Sequence, residues 1–174
     1  IRFDMENSTT TDSTIEICQS LNQRFPNVMG LALQANLFRT EDDLEALKSE
    51  NISIRLVKGA YKENKSVAFI GMDDIRGNFL KLADILCNYQ SNQDAIATQD
   101  EAILNSLFND DSYKQLAFEF LFGVRRDLQN KFKKEHAVGI YLPYGSNWLP
   151  YTMRRLSEWK NIKFIAKNLI KEKL

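Results

Sequence analysis

The sequence predicts an α/β fold built from parallel βα units. Short apolar runs, compact enough for buried strands, alternate with amphipathic segments of helix length. Polar residues collect where each apolar run ends, as they do at the ligand-binding ends of parallel strands. With only 7 Gly and 3 Pro in 174 residues, no flexible linker divides the chain. A single domain over 1–174 is expected, because its two loose polar stretches, 6–12 and 88–94, are too short to separate parts.

Taken in order, the expected strands are 1–3, 28–34, 52–58, 95–98, 115–121 and 138–142. Between the first two, Ile17, Leu21 and Phe25 recur at i, i+4, i+8 behind a Ser13/Glu16 capping box, and Pro26 stops the helix. Thr40 and Asp43 open a second helix with Leu44 and Leu47 inward. Ile75, Phe79, Leu82 and Leu86 mark the third, Ile103 and Leu107 a short fourth, and Val124, Leu128 and Phe132 the fifth. Six βα units thus account for nearly the whole length.

Composition narrows the partners. Lys and Arg number 23 against 23 Asp and Glu, so no long-range field steers the protein to nucleic acid or an anionic membrane, and any anion must be bound by local charge. Cys18 and Cys87 lack metal or CxxC spacing and read as core thiols, while His136, in the polar stretch KKEH, reads as solvated. No apolar run reaches the roughly 18 residues of a membrane span, which predicts a soluble, cytoplasmic protein with at most peripheral membrane contact.

Asp4, Glu6, Gln34, Arg55, Lys58, Gln99, Asp100, Glu119 and Tyr141 fall at strand ends. Of these, Asp4, Glu6 and Glu119 suit a barrel hydrolase with paired carboxylates. In YTMRRLSEW, Tyr151, Arg154, Arg155 and Glu158 share a helical face at i, i+3, i+4, i+7. That spacing fits a surface ion pair as well as a bidentate clamp on a carboxylate.

The segments LQANLFRT (33–40), RLVKGAY (55–61), ATQD (97–100), FEFLFGVRRDLQ (118–129) and IYLPYGSNWLPYTMRRLSE (140–158), in this order, resemble the proline dehydrogenase family. The resemblance implies a (β/α)8 TIM-type barrel holding FAD at the carboxyl ends of its strands, although the chain has no GxGxxG motif. It implies oxidation of L-proline to pyrroline-5-carboxylate by hydride transfer to flavin N5, with a membrane quinone as the next electron acceptor. By the same resemblance, Arg154 and Arg155 hold the proline carboxylate, Glu158 braces them, and Tyr141, Tyr151, Tyr61 and Leu121 line the substrate pocket. Arg55 stands near N5 and Gln34 bonds the ring. Val57, Lys58, Gly59, Ala60, Thr98 and Gln99 contact FAD, with Gly59 permitting close approach, and Asp4 orients neighbouring groups. Tyr141 suits a substrate ring without an added hydroxyl.

Three departures from the family pattern stand out. Gln99 occupies a place usually held by His, and Gly139 one where Arg is common. The strand of Asp4 corresponds to the family's third, so the barrel is expected to be incomplete, N-terminally truncated by two βα units together with a lysine of the substrate pocket. A catalytically inactive barrel remnant is the alternative expectation.

Overall fold

The computed structural model describes residues 1–89, 93–122, 124–142 and 144–145. Among them, six strands form one sheet in the order β1-β2-β3-β4-β5-β6. They are β1 (Arg2–Phe3), β2 (Gly30–Gln34), β3 (Ser53–Val57), β4 (Ala95–Ala97), β5 (Ala117–Leu121) and β6 (Val138–Tyr141). Every neighbouring pair is parallel. The intervening helices are α1 (Thr11–Arg24), α2 (Thr40–Ser49), α3 (Met72–Cys87), α4 (Glu101–Phe108) and α5 (Arg126–Phe132). Strictly sequential parallel order is the connectivity of a barrel wall; a doubly wound sheet would reverse direction from its middle.

One ion pair shows that the sheet curls. From β1 to β5 a flat sheet takes four steps of about 4.8 Å, roughly 19 Å in all, which exceeds the combined reach of an arginine and a glutamate. Arg2 Nη1 nevertheless lies 2.6 Å from Glu119 Oε1. The six strands form an incomplete α/β barrel, as the sequence predicts.

Alternation along the strands assigns their two faces. Leu31, Leu33, Ile54, Leu56, Ile96, Phe118 and Phe120, each no more than 1% exposed, point outward into the helices. They meet Leu44 and Leu47 of α2, Phe79, Leu82 and Leu86 of α3, Ile103 and Leu107 of α4, and Leu128 and Phe132 of α5. Most of the predicted helical stripes are therefore core; Ile75 is only half-buried, and Val124 lies before the helix.

The first helix differs from its prediction. Ile17 and Phe25 are about half exposed, and α1 buries Thr11, Cys18 and Asn22 instead. Polar anchoring sets this rotation, because Asn22 Nδ2 donates to Glu50 O at 2.9 Å and Gln19 reaches the Glu50 carboxylate. The capping box does not form either. The helix begins two residues earlier than Ser13, whose hydroxyl donates to Thr10 O, while Asn7 caps the preceding 3-10 turn Ser8–Thr10.

His136 is buried, against the expectation of a solvated residue. Its ring centroid lies 4.8 Å from that of Phe118 and 5.4 Å from that of Phe132. The five residues of Asp111–Gln115, partly expected as strand, form a 3-10 helix. Cys18 is a core thiol as predicted, and burial pushes the half-buried Cys87 thiol up to about 11.

Candidate active site

The inner face of the sheet has the opposite character to the outer. Register places Arg2, Gly30, Ala32, Gln34, Ser53, Arg55, Val57, Ala95, Ala97, Ala117, Glu119, Leu121, Gly139 and Tyr141 along it. Much of this floor is Gly or Ala, and the space left is taken by a few long charged side chains. Glu119 shares its carboxylate between two arginines, with Oε1 2.6 Å from Arg2 Nη1 and Oε2 2.6 Å from Arg55 Nε. Asp4, just beyond β1, places Oδ1 2.7 Å from Arg55 Nη1. These charge-assisted bonds consume two of the five guanidinium N–H donors of Arg55. Arg55 side-chain exposure is 16% against 62% for Asp4, so the cluster runs from the floor out to the mouth.

A second polar cluster lies at the rim. Asp100 Oδ2 accepts from Lys58 Nζ at 2.9 Å and from Arg76 Nε at 3.0 Å, while Oδ1 caps α4 through Ala102 N at 3.1 Å. Burial alone would raise the Asp100 carboxyl, but the hydrogen bonds from Lys58 and Arg76 outweigh it and hold the group below its ordinary value. Thr98 is buried, and its hydroxyl accepts from Asp100 N at 3.2 Å.

The loop after β3 is tied to the loop after β1. Tyr61 OH donates to Glu6, Gln34 Nε2 donates to Glu6 O at 2.8 Å, and Ser8 N donates to Glu63 Oε1 at 2.8 Å. Gly59 has φ +100°, in the left-handed region, and a Cβ there would lie 2.1 Å from Asn36 Oδ1. The close approach expected at Gly59 is thus made first by a side chain of the protein itself.

The sequence-predicted residues sort by position. Arg55, Val57, Gln34, Leu121 and Tyr141 lie on the inner face, and Leu121 and Tyr141 are register partners at the same height. Lys58, Gly59, Ala60, Tyr61, Thr98, Gln99 and Asp4 lie just past the strands, at the same end. Tyr151, Arg154, Arg155 and Glu158 lie outside the described residues. The paired-carboxylate reading finds no support in the geometry, since Asp4 and Glu119 are each held by arginine and Glu6 by Tyr61.

Sequence reasoning missed Arg2 and the full role of Asp100. Arg2 alternates with Phe3 in a strand, which marks it as inward. Asp100 precedes the apolar run of α4 at a capping position, a readable signal for the cap but not for Lys58 and Arg76.

No protein-family model matches the chain. Proline dehydrogenase 2 of Bacillus subtilis (strain 168) is 37% identical over 187 aligned positions, covering 99% of this chain and 58% of the relative. Proline dehydrogenase 1 of the same organism is 33% identical, covering 99% and 59%. Proline dehydrogenase of Deinococcus radiodurans is 33% identical, covering 98% and 57%. The chain therefore spans somewhat under three fifths of the length of these relatives. Among solved structures, proline utilization A (PutA) with proline bound in remote sites superposes with a TM-score of 0.75 at 23% identity, over 96% of this chain and 20% of that one. PutA from Bdellovibrio bacteriovorus inactivated by N-propargylglycine gives 0.73 at 21%, over 89% and 19%.

Proposed function

The chain is homologous along nearly its entire length to proline dehydrogenases, and from that premise we propose that it oxidises L-proline to pyrroline-5-carboxylate with FAD, the first step of proline degradation. The observation that carries this reading is Arg55, fixed on an inner floor of small residues by carboxylates on either side. Ala32 and Ala95 are covered, 3% and 1% exposed, so the small floor residues make room for the Arg55 side chain, and the groups that would meet a flavin ring stand above it at the strand ends. FAD, when bound, supplies the hydride acceptor.

The protein's own groups then have distinct tasks. Arg155 and Arg154, braced by Glu158, would clamp the proline carboxylate and orient the amino acid, with a planarity that lysine lacks. Tyr141, Tyr151, Tyr61 and Leu121 would exclude water from the reacting carbon. Arg55, oriented by Asp4, would stabilise negative charge that develops beside it. Gln34, Val57, Lys58, Gly59, Ala60, Thr98 and Gln99 would hold the cofactor, Lys58 being fixed by Asp100. Gln99 cannot be protonated as a histidine can, so it offers only neutral hydrogen bonds there. Onward transfer to a membrane quinone belongs to the same proposal; no helix among the described residues is long and apolar enough to cross a membrane.

The test is flavin absorbance of the purified chain incubated with FAD, followed by bleaching on addition of proline. Arg155→Met should keep the flavin and lose the bleaching, with kcat/KM in a dye-coupled assay down at least 100-fold. Absence of bound flavin in the parent protein, or undiminished proline turnover in the variant, would refute the assignment.

A further inference from the structure

Resting on the flavin reading above, we propose that Glu119 is a positioning residue that sets both the orientation of Arg55 and the net charge felt at the floor of the site. Glu119 lies in β5 and Arg55 in β3, with only Ala95 and Ala97 of β4 between them, so the carboxylate crosses a strand that offers no obstruction. Its two oxygens are divided, one to Arg55 Nε and one to Arg2 Nη1, both at 2.6 Å. With Nε held by Glu119 and Nη1 by Asp4, the guanidinium plane is fixed at two points on different edges.

Gly139 completes the arrangement. A Cβ at this position would stand 3.1 Å from Glu119 Cγ, tighter than ordinary contact, so the absence of a side chain lets the carboxylate lie where it meets both arginines. An arginine at the same position would compete for that carboxylate; here Arg2, from β1, takes the second oxygen.

The charges follow by counting. Arg2 and Arg55 contribute two positive charges, Glu119 and Asp4 two negative ones, and the cluster is neutral. Glu119→Gln keeps the size of the side chain, leaves one acceptor oxygen for two guanidiniums, and makes the cluster net positive. Surplus positive charge favours the reduced, more negative flavin, so the midpoint potential should rise. Arg55 also loses one of its two anchors, and kcat should fall roughly 10- to 100-fold. KM for proline should stay within about twofold, because the carboxylate is bound elsewhere.

Four proteins make the test: the parent, Glu119→Gln, Arg2→Gln, and the two substitutions combined, each loaded with FAD and titrated spectroelectrochemically. The double variant is neutral again, so its potential should return to that of the parent while kcat stays low. Arg2→Gln alone makes the cluster net negative and should lower the potential, which keeps the proposal testable if Glu119→Gln does not fold. A potential unmoved in the single variants overturns the charge role, and an unchanged kcat in Glu119→Gln overturns the positioning role. A parent protein that takes up no flavin refutes the flavin reading itself, an outcome distinct from either.

Discussion

Ile96 and Ala97 are consecutive residues of one strand and belong to different worlds. Ile96 is fully buried under the helices, whereas Ala97 faces the floor of the barrel beside Glu119 and Val57. The same split separates Leu56 from Arg55, and Phe118 and Phe120 from Glu119. The outer face holds the fold together by excluding water over a continuous apolar layer. The inner face keeps small residues and a few paired charges, so it can host chemistry without giving up core packing. A sheet whose two faces are divided in this way can change its site while leaving its stability largely untouched.

The largest effect should come from the outer side, at a buried ion pair. Lys48 of α2 and Asp94, 4% and 0% exposed, lie 2.7 Å apart, and Asp94 Oδ1 also accepts from Ile54 N of β3. Lys48→Met strands the carboxylate and should lower unfolding free energy by about 3–5 kcal/mol in urea titration. Next, Ile96→Ala should cost about 2–5 kcal/mol through the cavity it leaves. Ala97→Leu, one residue away, should stay within about 1 kcal/mol and, on the proposed flavin reading, abolish flavin uptake, read by the same titration and by absorbance. Equal losses at the two positions would erase the distinction between the faces.

The smallest effect tests the rim. Because the folded Asp100 carboxyl lies below its unfolded value, its contribution is complete above about pH 4 and is lost as pH falls through the folded value. Asp100→Asn should therefore flatten the fall in unfolding free energy between about pH 5 and pH 3, measured by denaturant midpoints across that range. A slope identical to that of the parent would mean that Lys58 and Arg76 do not stabilise the charged form in solution.

The outer face was legible because packing leaves a periodic record: Phe79, Leu82 and Leu86 repeat at helical spacing and are buried. Periodicity failed at α1, where two apolar residues stay half exposed and Asn22 is anchored inward to Glu50 O. A low-hydrophobicity helix leaves the choice of face to specific hydrogen bonds, which no period encodes. His136 failed for a related reason, since a charged neighbourhood in sequence gave no sign of the three phenylalanines that enclose it. The clustering of polar residues at the strand ends was readable from the common polarity of those ends, and Gln34, Arg55, Leu121 and Tyr141 do share the inner face. The partnership of Arg2 with Glu119 was not, because it depends on curvature that brings together residues 117 positions apart.

That partnership also bears on the order in which the chain acquires its structure. Each strand pairs with its predecessor across one intervening α-helix, so most contacts in the sheet close loops of modest length. β1 contributes only two register pairs to β2, making it the least secured strand by backbone bonding. Among the described residues the Arg2–Glu119 contact closes the longest loop of any hydrogen bond, and it requires five strands to be bent together. Loop-closure entropy therefore predicts that it forms late, after the packed outer layer, an order that φ-values at Arg2 and Phe118 would check.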